Sequence, residues 1–249
     1  MLQVEAGNWT YDSTGYFAPV MLQNDQFVRA YSRWPVDVVN LGRYDLIYAQ
    51  RLLAREGLTE RLQSRPFIKN VISANGIFGA DVAAPAPYLI KEVTGPRITG
   101  KKNKLRIGFV GLAEPVRPGG GVMDATVRNM YEAARAVVPK ARKECDVLVI
   151  IAHAELDGAM RLARENPEAD VVIAGNAEGL FKPREVGTTM VVSAAPGNIQ
   201  QGDLRLYFDR EGHVSFKWRS TDLDALVPAD AAAEAFAEAA RQERASYIR

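Results

Sequence analysis

Apolar residues in this chain gather into short runs that each stop at a polar turn, and the run-and-stop pattern predicts a layered α/β protein. The clearest case lies between Cys145 and Gly179. Val147-Leu148-Val149-Ile150-Ile151 and Val171-Val172-Ile173-Ala174 are nearly continuous apolar runs, as expected of strands covered on both faces, which lose the apolar/polar alternation of a half-exposed sheet. The first run ends at His153-Ala154-Glu155 and the second at Gly175-Asn176-Ala177-Glu178, while Leu156, Met160, Leu162 and Ala163 supply the apolar side of a helix between them. Ligands of α/β sheets gather outside the carboxyl ends of strands, so two ends carrying one His, two Glu and an Asn form a site candidate. The plainer alternative is that these residues cap the helix and turn the chain.

The same pattern recurs along the rest of the sequence. Leu2 to Ala6 reads as an opening strand that ends in Gly7-Asn8-Trp9-Thr10, and Val20 to Trp34 has helical spacing. Val36 to Leu41 is a β-branched strand closed by Gly42-Arg43-Tyr44-Asp45, followed by a helix from Leu46 to Arg55 with Gly57 as its C-terminal stop. Phe67 to Ala74 is a third strand, ending at Asn75-Gly76. Tyr88 to Val93 is predicted as an edge strand and Leu105 to Leu112 as a buried one. Asp124 to Lys143 reads as a helix, and Met190 to Ser193 as another strand. Leu204 to Phe208 turns through Asp209-Arg210-Glu211-Gly212 into a hairpin partner at His213 to Trp218. An alanine-rich helix from Ala229 to Tyr247 closes the chain. Strand, polar turn and helix repeating in this way point to a βα-layered fold.

Composition narrows the choices little. The chain has 249 residues, 47% hydrophobic and 24% charged, with a formal net charge of +1. Lys and Arg are scattered apart from Lys101-Lys102-Asn103-Lys104, so no nucleic-acid footprint or anionic-membrane surface is indicated. The single cysteine, Cys145, excludes an intramolecular disulfide and a cysteine-based metal cluster. No run approaches the ~18 apolar residues of a membrane span. Gly119-Gly120-Gly121 lacks the Lys-Ser/Thr of a phosphate-cradling loop and reads as a turn.

The order of landmarks resembles the catalytic domain of the calcineurin-like metallophosphoesterases, 5′-nucleotidase branch. In that family strands end in Gly-Asp, Gly-Asn-His-Glu-Phe-Asp, Ala-Asn, His and Gly-His-Ser-His. Ala6-Gly7-Asn8, Leu41-Gly42-Arg43-Tyr44-Asp45, Ser73-Ala74-Asn75, Ala152-His153-Ala154 and Ala174-Gly175-Asn176-Ala177-Glu178 stand in those places. The resemblance implies a four-layer sandwich of two facing mixed sheets flanked by helices, with residues 1–225 as the domain and 226–249 as a surface helix. It also implies an N-terminal truncation, because the chain opens where the family's second strand lies. A strand and a signal peptide upstream, and a location outside the cytoplasm, are the corresponding expectations.

The departures from the family motif carry the functional reading. Family members hold two metal ions that activate a water and neutralise charge on phosphorus. Of the implied ligands only His153 is kept. Asn8 replaces the bridging aspartate, Arg43 the asparagine ligand, and Asn176 and Glu178 two histidines. Tyr44 and Asp45 occupy the family's His-Glu positions. Three readings follow: a degenerate phosphoesterase-fold protein acting by binding or as a scaffold for a small anion or a protein; a working hydrolase with one divalent metal (Mn, Zn or Mg) on His153, Glu155, Glu178, Asp45 and Asn75; and a metal-free anion binder using Arg43 and Asn75. The first expects no cofactor. A buried arginine is costly unless paired, so Arg43 is expected to form an ion pair with Glu178, Asp45 or Glu155.

Overall fold

The structure is a computed structural model that describes residues 1–11, 18–94, 104–115, 127–177, 182–194, 200–208, 214–224 and 226–247. Three parallel strands, β1 (Val4–Glu5), β2 (Val38–Asn40) and β3 (Val71–Ile72), form a small sheet in the order β1-β2-β3. A six-stranded mixed sheet contains β4 (Tyr88–Thr94), β5 (Lys104–Ala113), β6 (Val147–His153), β7 (Val171–Ala174), β8 (Arg184–Val186) and β9 (Thr189–Val192), ordered β4-β5-β6-β7-β9-β8. Its inner strands β5, β6, β7 and β9 run parallel, and the two edges pair antiparallel.

Alternation within the apolar runs decides what lies on each face. Val147, Val149 and Ile151 of β6 point toward Val38 and Ile72 of the small sheet, and Phe109, Val171 and Val192 join them in one buried cluster. Leu148, Ile150 and Ala152 point the other way, against α4 (Met130–Arg142) and α5 (Leu156–Glu165), through Met130, Ala134, Val138, Ala159 and Leu162. The outer face of the small sheet is covered by α1 (Ala18–Arg33) and α2 (Arg43–Leu52), with Val28, Leu46, Ala49 and Trp9 in a third cluster. The layers therefore run helix, sheet, sheet, helix, as the resemblance implies. The continuous apolar runs are explained by burial of β6 and β7 on both sides. A hairpin of β10 (Gln200–Phe208) and β11 (Val214–Asp222) lays Leu204, Leu206, Phe216 and Trp218 over the inner face of the large sheet.

Several element boundaries differ from the sequence reading. The third strand is only Val71–Ile72, because Pro66, with its fixed φ, opens a 3-10 turn over Pro66–Asn70 instead. A short helix, α3 (Leu58–Ser64), and the strand β8 were not anticipated. The fourth helix starts at Met130, capped by Asn129 Oδ1, which accepts from Tyr131 N (2.9 Å) and Glu132 N (3.2 Å). The closing helix, α6 (Ala231–Tyr247), packs on α1, with Trp34 edge-on to Phe236 at 5.5 Å and Gln26 Nε2 donating to Ala240 O at 2.9 Å. Gly119-Gly120-Gly121 and His213 lie outside the described residues. Among the described residues no helix is long and apolar enough to cross a membrane.

Candidate functional site

The turns after the strands converge at one end of the sandwich, and glycine is what lets them touch. A Cβ on Gly7 would stand 2.9 Å from the His153 Cβ and 2.8 Å from the Gly42 nitrogen; one on Gly175 would stand 2.5 Å from the Ala6 carbonyl oxygen. Gly7 has φ +106° and Asn8 φ +57°, so the chain leaves β1 through two successive left-handed residues, a conformation glycine and asparagine tolerate best. The Ala74 N–H donates to Gly111 O (2.7 Å), and the Glu114 N–H to His153 O (2.9 Å). The strand ends after Ala6, Leu41, Ala74, Ile151 and Ala174 thus share one face, as the sequence pattern predicts.

Asp45 organises the small-sheet side of this face. The sequence reading placed Arg43, Tyr44 and Asp45 in a polar turn, whereas they form the first turn of α2. The reason is local: Asp45 is the third residue of the helix and accepts from the Gly42 N–H at 2.8 Å, satisfying an otherwise orphaned donor. The same carboxylate accepts from Asn8 N (2.5 Å), Thr10 N (2.8 Å) and Thr10 Oγ1 (2.7 Å). Asn8 Oδ1 in turn accepts from the Tyr44 N–H at 3.1 Å. Complete burial pushes the Asp45 carboxyl up to about 7, against four donated hydrogen bonds that favour its ionised form. Thr10 belongs to this lock although the sequence reading assigned it nothing; a Thr two residues past the Gly-Asn turn was the only signal.

Two asparagines tie the sheets together. Asn75 is fully buried, donates to Ala113 O (2.6 Å) and Arg128 O (2.8 Å) and accepts from Ala113 N (3.0 Å). Its amide is spent on backbone, so a ligand could use it only by breaking those bonds. Asn40, at the end of β2, donates to Leu112 O at 2.9 Å across the sheet interface. It too was missed, because an asparagine ending an apolar run looks like any turn former.

Arg43 differs from the expectation most. Its guanidinium makes no ion pair with a described carboxylate, and its Nε is buried without a hydrogen-bond partner. It lies over the Tyr44 ring, 5.0 Å from the centroid. Asp45 is already occupied, its two oxygens accepting from Asn8, Thr10 and Gly42. Glu155 is the residue before α5, and its N–H donates to Glu114 Oε2 at 2.8 Å. Glu178 falls outside the described residues. His153 is buried at the end of β6, and desolvation, then the nearby Arg43 charge, lowers its imidazole to about 4. Asn176 sits half-buried in the turn after β7.

No family model matches the chain. It is 28% identical over 130 residues to a 2′,3′-cyclic-nucleotide 2′-phosphodiesterase/3′-nucleotidase of Salmonella typhimurium, 45% of this chain and 20% of that protein. It is 26% identical over 138 residues to the trifunctional nucleotide phosphoesterase YfkN of Bacillus subtilis, 47% of this chain and 9% of that one. Among solved structures, a 5′-nucleotidase precursor of Thermus thermophilus superposes with TM-score 0.70 at 21% identity, over 100% of this chain and 50% of its own. The calcineurin-like phosphoesterase YfkN gives TM-score 0.69 at 18% identity, over 100% and 85%. The chain has the calcineurin-like phosphoesterase fold. The matched stretches span only 20% and 9% of those two curated relatives' lengths.

A divalent metal is what this fold implies, and the residues present do not fit a pair of them. Among the described residues no three His, Cys, Asp or Glu side chains are grouped as a metal would need. Asn8 and Asp45 direct their oxygens at backbone N–H groups, and a fixed cation, Arg43, stands beside the one retained imidazole. The single-metal set of His153, Glu155, Glu178, Asp45 and Asn75 loses Asp45 and Asn75 to backbone hydrogen bonds.

Proposed function

We propose that this chain is a phosphoesterase-fold protein that works by binding and does not carry out two-metal phosphoester hydrolysis. The observation that carries this reading is the Asn8–Thr10–Asp45 lock. The oxygens at the first two strand ends are turned inward to hold backbone, which leaves the cleft without the anionic bridge that two cations need. Hydrolysis in the relatives is a property of those proteins; here the corresponding strand ends carry a neutral imidazole and a guanidinium. One relative is a 5′-nucleotidase precursor, and an extracytoplasmic location is part of the same proposal.

The test is metal content and turnover measured together. Purified full chain incubated with excess Mn²⁺ or Zn²⁺ and desalted should retain well under two ions per chain. It should hydrolyse bis(p-nitrophenyl) phosphate and p-nitrophenyl phosphate no faster than the metal-containing buffer. Two retained ions per chain with catalytic turnover of either ester overturns the proposal.

A further inference from the structure

We propose that the strand-end cleft binds a compact oxyanion that offers two acceptor oxygens to Nε and one Nη of Arg43. The proposal rests on the non-hydrolytic reading above, since a cation pair in the cleft would take the same anion by other means. Three observations carry it. The Arg43 Nε is buried and donates to nothing. A buried donor without an acceptor is costly, most of all on a charged group, so an acceptor supplied from outside is the economical completion of this structure. The acidic group nearest in sequence, Asp45, has all its hydrogen-bonding directions filled by Asn8, Thr10 and Gly42. Finally, the guanidinium lies over the Tyr44 ring, 5.0 Å from its centroid, and a ring supplies no acceptor oxygen for the N–H fork.

The chemistry this fork recognises is planar and two-pronged. Nε–H and one Nη–H point in parallel at the spacing of two oxygens on a phosphate, phosphoester or carboxylate. Lysine, a point charge, would keep the attraction and lose the geometry.

The experiment is calorimetric titration of the full chain with inorganic phosphate and, separately, with acetate, at low ionic strength and with EDTA present throughout. EDTA separates this test from the metal and turnover assay, so either proposal can fail without the other. The expected result is saturable binding of at least one of the two anions, weakened about tenfold or more in Arg43→Gln and by a smaller factor in Arg43→Lys. Phosphate binding without acetate binding identifies a phosphate-bearing ligand, and the reverse a carboxylate. Urea unfolding of both variants controls for folding; should Arg43→Gln not fold, the Arg43→Lys comparison decides. The proposal is overturned by binding that Arg43→Gln leaves unchanged, by no binding of either anion, or by binding that emerges only in Glu178→Gln, since that last result makes Glu178 the internal occupant.

Discussion

Asp45 and Arg43 stand two residues apart in the same helical turn and meet opposite fates. The Asp45 side is a closed lock in which a buried carboxylate has four donors and every donor has its acceptor. The Arg43 side is incomplete: a guanidinium with one buried, unpartnered donor lies beside an imidazole that burial keeps neutral. The contrast separates what holds the turns together from what is left over to act. Asp45 serves the architecture of the turns, and Arg43 is left with a donor that no described acceptor takes.

Breaking the lock should have the largest effect. Asp45→Ala strips the acceptor from three backbone N–H groups and a hydroxyl, all buried, and should lower unfolding free energy by about 4 kcal/mol. Arg43→Gln, by contrast, removes no ion pair with a described carboxylate and relieves a buried donor without an acceptor, so it should leave stability unchanged or raise it by about 1 kcal/mol. Equal losses from the two substitutions, measured by urea denaturation at pH 7, would erase the distinction between the two sides.

The pH dependence sharpens the same contrast. His153 is lowered from 6.5 to about 4, so its neutral form is favoured by folding. Its contribution is complete above pH 6.5, declines as pH falls, and is lost below about 4. Asp45 is raised from 3.8 to about 7, so its contribution is complete below 3.8 and is lost as pH rises through 7. The two slopes oppose one another between pH 4 and 6.5. Replacing His153 by Gln should expose this: the stability of the wild type relative to the variant should grow by about 3 kcal/mol from pH 4 to 6.5. A difference that stays flat over that range would show that the imidazole titrates normally. NMR of the His153 ring provides a direct check, with a midpoint that rises toward 6.5 in Arg43→Gln.

Two glycines grade the packing of the turns more finely. Gly42→Ala places a Cβ 2.4 Å from both Asn8 N and Asn8 Oδ1, inside the lock, and should cost about 2 kcal/mol. Gly187→Ala, at φ +60° in an exposed turn with nothing within 4 Å of the added carbon, should cost only the left-handed backbone, about 1 kcal/mol. Thermal denaturation of the two variants tests the ranking, and the reverse order would mean that the β1 and α2 turns do not press on one another.

The layered architecture was legible because it follows from local patterning. Runs such as Val147 to Ile151 carry enough apolar side chains to require cover on both faces, and each polar stop falls at the carboxyl end of its strand. Where local chemistry competes with the pattern, legibility fails: Pro66 shortens the third strand, and Asp45 draws Arg43 and Tyr44 into the helix by capping it. Asp45 was unavailable to Arg43 for a further reason. Sequence lists the carboxylates within reach but not which donors have already taken them.

From the sequence alone came the positions of most strands and helices and the gathering of the strand ends on one face. Those depend on periodicity and residue type, which are local. Only the tertiary structure decided the direction of each polar group: Asp45 inward onto Asn8 and Thr10, Asn75 onto Ala113 and Arg128, Arg43 over Tyr44 with its Nε unpartnered. A hydrogen bond is fixed by distances of a few tenths of an ångström between residues dozens of positions apart, and no pattern along the chain encodes which of several acceptors within reach is filled first.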